Sequence, residues 1–295
     1  MHIPVLEKEM LDILSPQPNE NFIDATIGHA GHSLRILEKT GPLGKLLGID
    51  QTPEQIETAR NRIKDFGERA ALALDNFSNL RNIVERNNFG PVNGILFDLG
   101  FSSWHVDESG RGFTFQKDEP LLMNYAPNGL TAEQIVNQWT EEDLEMIFSQ
   151  YGQEKFSKKI ARQIEETRRA KPITSTFQLI EAIKTAVPQR YQHGKTHYAT
   201  RVFQALRIAA NQELENLKKA LPQALEILAP GGRIAVISFH SLEDRIVKIF
   251  LKEEAARGSI KILTKKPIAP GSAEIGSNPR SRSAKLRAAQ KIIQE

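Results

Sequence analysis

The sequence predicts an α/β fold, a doubly wound sheet interrupted by a long helical insertion. Three observations carry this. The stretch from Phe22 to Asp50 reads as strand, glycine-bearing loop, helix, strand and acid, and further short apolar runs follow it with helical patterns between them. More than a hundred residues of mainly helical spacing then separate the fourth such run from the fifth, far beyond an ordinary connection. Ligands of open sheets of this kind lie at the carboxyl ends of the strands.

Asn21 to Ala25 is a short apolar run carrying Asp24, and it gives the first strand. Gly28 and Gly31 supply backbone freedom after it, and Ser33 is placed to cap a helix carrying Leu34, Ile36 and Leu37. Lys45 to Ile49 gives a second strand that Asp50 ends. An acid there, about 20 residues beyond the glycine turn, is where an open sheet holds a ribose by its hydroxyls; a tight turn with a solvated Asp50 is the alternative. The loop Gly28-His29-Ala30-Gly31-His32 is not the G-x-G-x-x-G that closes on a pyrophosphate. A phosphate-free adenosine ligand such as S-adenosylmethionine fits it better than a dinucleotide.

Ala71 to Asp75 predicts a third strand, opening into Asn76, Phe77 and Ser78, and Gly94 to Asp98 a fourth. Gly231-Gly232 leads into Arg233 to Phe239, a fifth, after which Ser241-Leu242-Glu243-Asp244 reads as a capping box. Lys261 to Leu263 and Ala284 to Ile293 supply two last strands. In the insertion, Leu130 to Gln150 and Gln153 to Arg169 have helical spacing, Ile173 to Val187 follows a start signal at Pro172, and Thr196 to Leu228 is a long helical pattern interrupted at Pro222. The expected division is a core of residues 1–104 and 200–295 around a mainly helical domain of residues 105–199 for substrate recognition, the helix from Ala199 returning to the sheet.

A chain of 295 residues with 40% hydrophobic content can bury a substantial core; it has no run approaching a membrane span and no signal peptide, so a cytoplasmic location is expected. Without cysteine there is no disulfide, thiol nucleophile or thiolate-bound metal, and the seven histidines form no H-E-x-x-H pair, so no metal is expected. The net charge of +3 says little about partners. From Ile260 to the end, however, eight Lys or Arg residues stand against Glu274 and Glu295, among them Lys265, Lys266, Arg280, Arg282, Lys285 and Arg287. This basic end is a candidate phosphate-binding surface, with a solvated tail as the alternative.

Four runs then point further: HIPVL (His2 to Leu6), DATIGHAGHS (Asp24 to Ser33), VISFHSLEDRIVK (Val236 to Lys248) and NPRSRSAKLR (Asn278 to Arg287). They resemble the bacterial ribosomal RNA small-subunit methyltransferase H family, also called MraW. DLGFSS (Asp98 to Ser103), RGFTF (Arg111 to Phe115), YGQEKFSKKIAR (Tyr151 to Arg162), KPITST (Lys171 to Thr176) and ATRVFQALRIAAN (Ala199 to Asn211) match in the same order, so the resemblance runs end to end. It implies a class I S-adenosylmethionine-dependent methyltransferase, a Rossmann-like sheet with a helical insertion. The implied reaction is N4-methylation of a cytidine in the decoding region of small-subunit (16S) ribosomal RNA, free or in the assembled subunit, by a monomer or homodimer. Residue by residue, the resemblance implies that Ala30, Gly31 and His32 line the methionine end of the cofactor and that Asp50 takes the ribose hydroxyls. It sets Phe77 beside adenine and Asp98 near the reacting end.

Several positions depart from the family pattern. A G-G-G-G-H loop is here Gly28-His29-Ala30-Gly31-His32, and His105 stands where a glutamine is expected to help hold the cofactor. P-L-D-M-R-M becomes Pro120 to Tyr125, PLLMNY, so that Leu122, Asn124 and Tyr125 replace an acid, a cation and a methionine and charge-assisted hydrogen bonds are lost. The HPATR turn becomes His197-Tyr198-Ala199-Thr200-Arg201. For the chemistry, Asp98 or a serine beside it such as Ser102 is expected to orient the amine, with His240 approaching from the fifth strand; a purely cofactor-holding Asp98 is the alternative. Arg162, Arg168, Arg169 and Lys171 are candidate RNA contacts of the insertion, or else an ordinary solvated helix face. Two other functions remain compatible: an RNA-binding ribosome assembly factor with a degenerate transfer site, and a methyltransferase for another RNA cytidine.

Overall fold

The computed structural model describes residues 4–194 and 196–293, except for the side chain of Ser103. His2 and Ile3 of the HIPVL run and Glu295 of the basic end lie outside the described residues. In chain order, α1 (Glu7–Leu14), β1 (Phe22–Asp24), α2 (Gly31–Lys39), β2 (Leu46–Asp50), α3 (Pro53–Ile63), β3 (Ala70–Leu74), α4 (Leu80–Arg86) and β4 (Val92–Asp98) come first. Seven helices follow: α5 (Ser103–Asp107), α6 (Ala132–Gln138), α7 (Glu141–Gln150), α8 (Ser157–Ala170), α9 (Thr176–Ala186), α10 (Gln189–Gln192) and α11 (Thr200–Asn211). The chain then resumes α/β alternation through α12 (Glu213–Ile227), β5 (Leu228–Ser238), α13 (Ser241–Ala256), β6 (Ile260–Ile262), α14 (Ser272–Ser277) and β7 (Lys285–Lys291). Two units result, Met1–Gly100 with Leu214–Glu295, and Phe101–Glu213.

The first unit is built on a seven-stranded sheet of order β3-β2-β1-β4-β5-β7-β6. The strands from β3 to β5 pair in parallel, and β7 runs antiparallel to β5 and β6. This is the class I methyltransferase sheet. Its strands are apolar on both faces because helices cover both. Ile23, Leu47, Ile95, Phe97 and Val236 pack with Leu217 and Leu221 of α12. Their neighbours along the chain, Phe22, Leu46, Leu96, Ala235 and Ile237, pack with Met10 of α1, Ile36 of α2 and Ile56 of α3. The period of two along each strand thus divides one apolar run between two cores. At Gly94 an added Cβ would lie 2.2 Å from the Phe22 ring, so only glycine lets β4 approach there.

The second unit is helical around one core, with Leu121, Ile135, Phe148, Ile160, Leu179 and Leu206 all without solvent exposure. Val202, Phe203 and Leu206 of α11 belong to this core. The helix expected to return to the sheet from Ala199 therefore packs in the insertion, and α12 makes the return. The long pattern breaks at Gln212, whose backbone is left-handed (φ 49°), whereas Pro222 sits inside α12. Two caps also differ from expectation. Ala30, with φ 56°, precedes α2, and Ser33 lies inside the helix with its hydroxyl on Asp24. His240 rather than Ser241 caps α13, because Glu243 returns its carboxylate to the His240 N–H.

β7 corrects the reading of the basic end. Arg287 is buried at 8% exposure and its guanidinium donates to both oxygens of Asp244 at 2.6 and 3.3 Å, while Lys285 reaches the same carboxylate at 3.3 Å. Arg280 and Arg282 are exposed. Burial pushes the Asp244 carboxyl up, but the hydrogen bond and charge of Arg287, with Lys285, outweigh it and hold it below the usual carboxylate range. Arg287→Met should cost about 3 kcal/mol by urea denaturation, because it leaves the buried carboxylate with Lys285 alone. Since the folded pKa is depressed, the contribution is complete above the unfolded carboxylate range and is lost as pH falls through the folded pKa; the variant should show a smaller acid limb.

Candidate active site

Three adjacent parallel strands, β2, β1 and β4, each end in an aspartate: Asp50, Asp24 and Asp98. Asp24 pairs in register with Gly48 and Leu96, so Asp50 and Asp98 stand equally further along on its two sides. Backbone and hydroxyl donors hold each acid. Asp24 is 1% exposed and accepts from the Ser33 hydroxyl at 2.6 Å and the Thr26 N–H at 3.2 Å. Asp50 accepts from the Gly28 N–H at 3.1 Å and the Thr52 N–H at 2.9 Å. Gly28 presents that N–H from a left-handed turn (φ 46°), which glycine adopts without strain. Asp98 is anchored through its own N–H, donated to the Thr26 hydroxyl at 2.6 Å.

His32, in the first turn of α2, faces Asp98. It is 5% exposed, and its Nε2 lies 3.5 Å from Asp98 Oδ2, an ion-pair distance rather than a well-formed hydrogen bond. Burial disfavours its charge, but the contact with Asp98 and the charges of Asp98, Asp24 and Glu7 outweigh burial and hold its pKa above the ordinary histidine range. Burial likewise raises the carboxyl of Asp24, and pushes that of Asp50 up to about 6 against the opposing bonds from Thr52 and Gly28. Both ring nitrogens of His32, Asp98 Oδ1, Ser238 Oγ and both amide atoms of Gln55 are buried without a hydrogen-bond partner. Such groups are normally satisfied. Here they sit at strand ends or in the helix starts that follow, where a polar ligand would complete them. The donor set suits S-adenosylmethionine, which brings a sulfonium, an ammonium, a carboxylate and ribose hydroxyls. Phe77, half-buried after β3, meets Phe97 edge-on at 5.7 Å and gives the set an apolar neighbour.

The remaining predicted residues are held as helix caps. His240 Nδ1 accepts from the Glu243 N–H at 3.4 Å, and its Nε2 lies 3.2 Å from Glu243 Oε1. In the second unit, Ser102 caps α5: its hydroxyl lies 2.9 Å from His105 Nδ1, which also accepts the Ser102 N–H at 3.2 Å. His105 is buried, with Phe113 and Tyr125 both 5.0 Å away. The PLLMNY segment is folded inward. Asn124 is 5% exposed and donates to Ala126 O at 2.8 Å, the Tyr125 hydroxyl donates to Glu213 at 2.9 Å, and Arg111 donates to Tyr125 O at 3.1 Å. The sequence reading assigned no role to Asp24, Thr26 or Gln55. Asp24 carried a usable signal, since it ends its strand as Asp50 and Asp98 end theirs.

Residues 1–292 match a single protein family across nearly the whole chain. The chain belongs to the MraW methylase family. Its cofactor is S-adenosylmethionine. Relatives named Ribosomal RNA small subunit methyltransferase H include those of Heliobacterium mobile, 45% identical over 99% of both chains, and Syntrophotalea carbinolica, 43% identical over 99% of this chain and 98% of that one. Among solved structures, a methyltransferase of Streptococcus mutans in complex with SAH aligns at a TM-score of 0.48 and 13% identity, covering 99% of this chain and 100% of that one; at that level the likeness adds nothing to the fold described above.

The raised pKa of Asp50 gives the cofactor site a pH signature. Ribose hydroxyls are held best by the ionised carboxylate, so affinity for S-adenosylhomocysteine should fall as pH drops through about 6. Calorimetry across that range should also show Asp50→Asn binding about tenfold more weakly at pH 8 and without the acid limb.

Proposed function

We propose that this methylase transfers the methyl group of S-adenosylmethionine to N4 of a cytidine in the decoding region of small-subunit ribosomal RNA, in the cytoplasm. Family membership and the names of the full-length relatives support an RNA of the small ribosomal subunit as substrate. The observation that carries the chemistry is the set of strand-end carboxylates around His32, with Asp98 Oδ1 buried and unbonded.

The bound sulfonium supplies the electrophilic methyl. Cytosine N4 is a poor nucleophile because its lone pair is delocalised into the ring. Asp98 is suited to accept a hydrogen bond from the amine, to stabilise the positive charge that develops as the methyl is transferred, and to take up the amine proton, which then passes to solvent. His32 holds Asp98 in place by charge, and Asp50 with the Gly28 turn holds the adenosyl half. Ala30 and Gly31 set the start of α2 against the methionine end, and Phe77 offers an apolar surface to adenine. Ser102 acts by holding the backbone of its cap, His105 by filling the aromatic cluster of the insertion, and His240 holds its cap through Nδ1 while its buried Nε2 makes no hydrogen bond.

A cytidine in structured RNA must be unstacked before its amine can react, and the contacts that hold its strand are expected to be to phosphates. Arg280 and Arg282 are exposed and suited to this. In the insertion, Arg162 and Arg169 pair with Glu166 and Glu165, and Arg168 donates to Val136 O at 2.7 Å, so Lys171 is the most available of the four predicted cations. Neutralising Arg280 and Arg282 together should weaken RNA binding evenly across sequences and lower the salt slope by about two.

Radiolabelled cofactor incubated with small-subunit particles, followed by mapping of the label, tests the whole reading. We expect one labelled cytidine carrying the methyl on N4, with Asp98→Asn slowing single-turnover transfer about 100-fold. Label on another atom or another RNA would refute the specificity. The inward-turned Leu122 to Tyr125 segment gives the assembly-factor reading its one foothold, and RNA and cofactor binding without any transfer would favour it.

A further inference from the structure

Thr52-Pro53-Glu54-Gln55 opens α3 with the spacing of a capping box, in which Gln55 would return its side chain to the Thr52 N–H. Among the described residues the same box closes with glutamine at two other helices. Gln134 Oε1 accepts the Thr131 N–H at 2.9 Å, and Gln178 Oε1 accepts the Ser175 N–H at 3.3 Å. At α3 the box stays open because Asp50 already takes the Thr52 N–H at 2.9 Å. Gln55 is 1% exposed, its Nε2 and Oε1 are both unbonded, and a Cβ placed on Gly28 would lie 3.7 Å from its Oε1. The carboxamide is thus buried beside the same turn whose N–H holds Asp50.

We propose that Gln55 is a binding residue of the cofactor site, its carboxamide completing the hydrogen bonds of the adenosyl half next to Asp50. This rests on the S-adenosylmethionine reading of the strand-end acids. A buried amide with neither end bonded weakens the free protein, and a ligand that bonds it recovers that loss on binding. Gln55 therefore weakens the empty fold and strengthens binding through the same unmet hydrogen bonds.

The two effects have opposite signs in one variant. Gln55→Leu, or Gln55→Met should leucine pack poorly, is expected to leave the thermal midpoint of the free protein unchanged or raised. Its affinity for S-adenosylhomocysteine should fall about tenfold, and for 5′-methylthioadenosine, which lacks the amino-acid end, by the same factor. A lowered midpoint with both affinities within about twofold of the parent would make Gln55 a structural group and overturn the proposal. Loss toward S-adenosylhomocysteine alone would move the contact to the methionine end and overturn it as well. Asp50→Ala, measured alongside, separates the two levels. If the parent protein binds neither ligand, or Asp50→Ala binds as tightly as the parent, the cofactor assignment itself fails; if Asp50→Ala is weakened and the Gln55 variants are not, only the inference about Gln55 fails.

Discussion

The site depends on an electrostatic constraint: three carboxylates brought to the ends of three neighbouring parallel strands. Parallel pairing fixes Asp24 between Asp50 and Asp98 whatever the loops do, because its register partners Gly48 and Leu96 lie within the sheet. Like charges gathered this way repel one another. Burial raises Asp50 and Asp24 most and their neighbours' charge adds less; the groups that oppose both are the Gly28 and Thr52 N–H groups at Asp50, Ser33 and Thr26 at Asp24, with His32 facing Asp98. The acids in turn favour the protonated form of His32, and a cofactor bearing a sulfonium and an ammonium would offset more of the charge. Binding of a cation and stability of the strand ends are thereby coupled.

This constraint also accounts for the tolerance of the loop to substitution. The family pattern places glycine where this chain has His29 and Ala30. Ala30 nevertheless adopts the left-handed conformation that a glycine would take freely, at a cost of order 1 kcal/mol. Gly31 cannot be replaced so easily, since a Cβ there would lie 2.7 Å from Pro4 Cγ. The loop geometry is set by what the strand-end acids require of its N–H groups, and the side chains follow.

Much of the fold was legible because α/β alternation writes itself into apolar runs and their ends. Each of the seven strands among the described residues overlaps a predicted run, although β5 starts at Leu228 and takes in Gly231 and Gly232, which were read as leading into it; the acids at the tips were visible as Asp50 and Asp98. What stayed hidden was the partner of each polar group. Arg287 looked like one of a cluster of surface cations, yet β7 carries it into the sheet to meet Asp244, a residue far away in sequence. Ser241 and Ser33 had the composition of caps, but His240 and the left-handed Ala30 occupy those positions because Glu243 and Asp24 compete for the hydrogen bonds. The helical pattern through Pro222 concealed a break at Gln212, since a left-handed residue leaves no compositional mark when it is not glycine. The departures at Asn124 and Tyr125 read as losses from a substrate site; in the structure their side chains bond within their own unit, to Ala126 and Glu213.

The central claim is that, around a site where Asp98 Oδ1 is left open to a polar ligand, the strand-end acids favour the protonated form of His32. Imidazole ¹⁵N chemical shifts of His32, followed by titration of the free protein, measure this directly. The account predicts that both ring nitrogens remain protonated beyond the pH at which an ordinary histidine loses its proton, and that Asp98→Asn lowers the midpoint. A His32 that is neutral at pH 6, or a midpoint indifferent to Asp98, would contradict it.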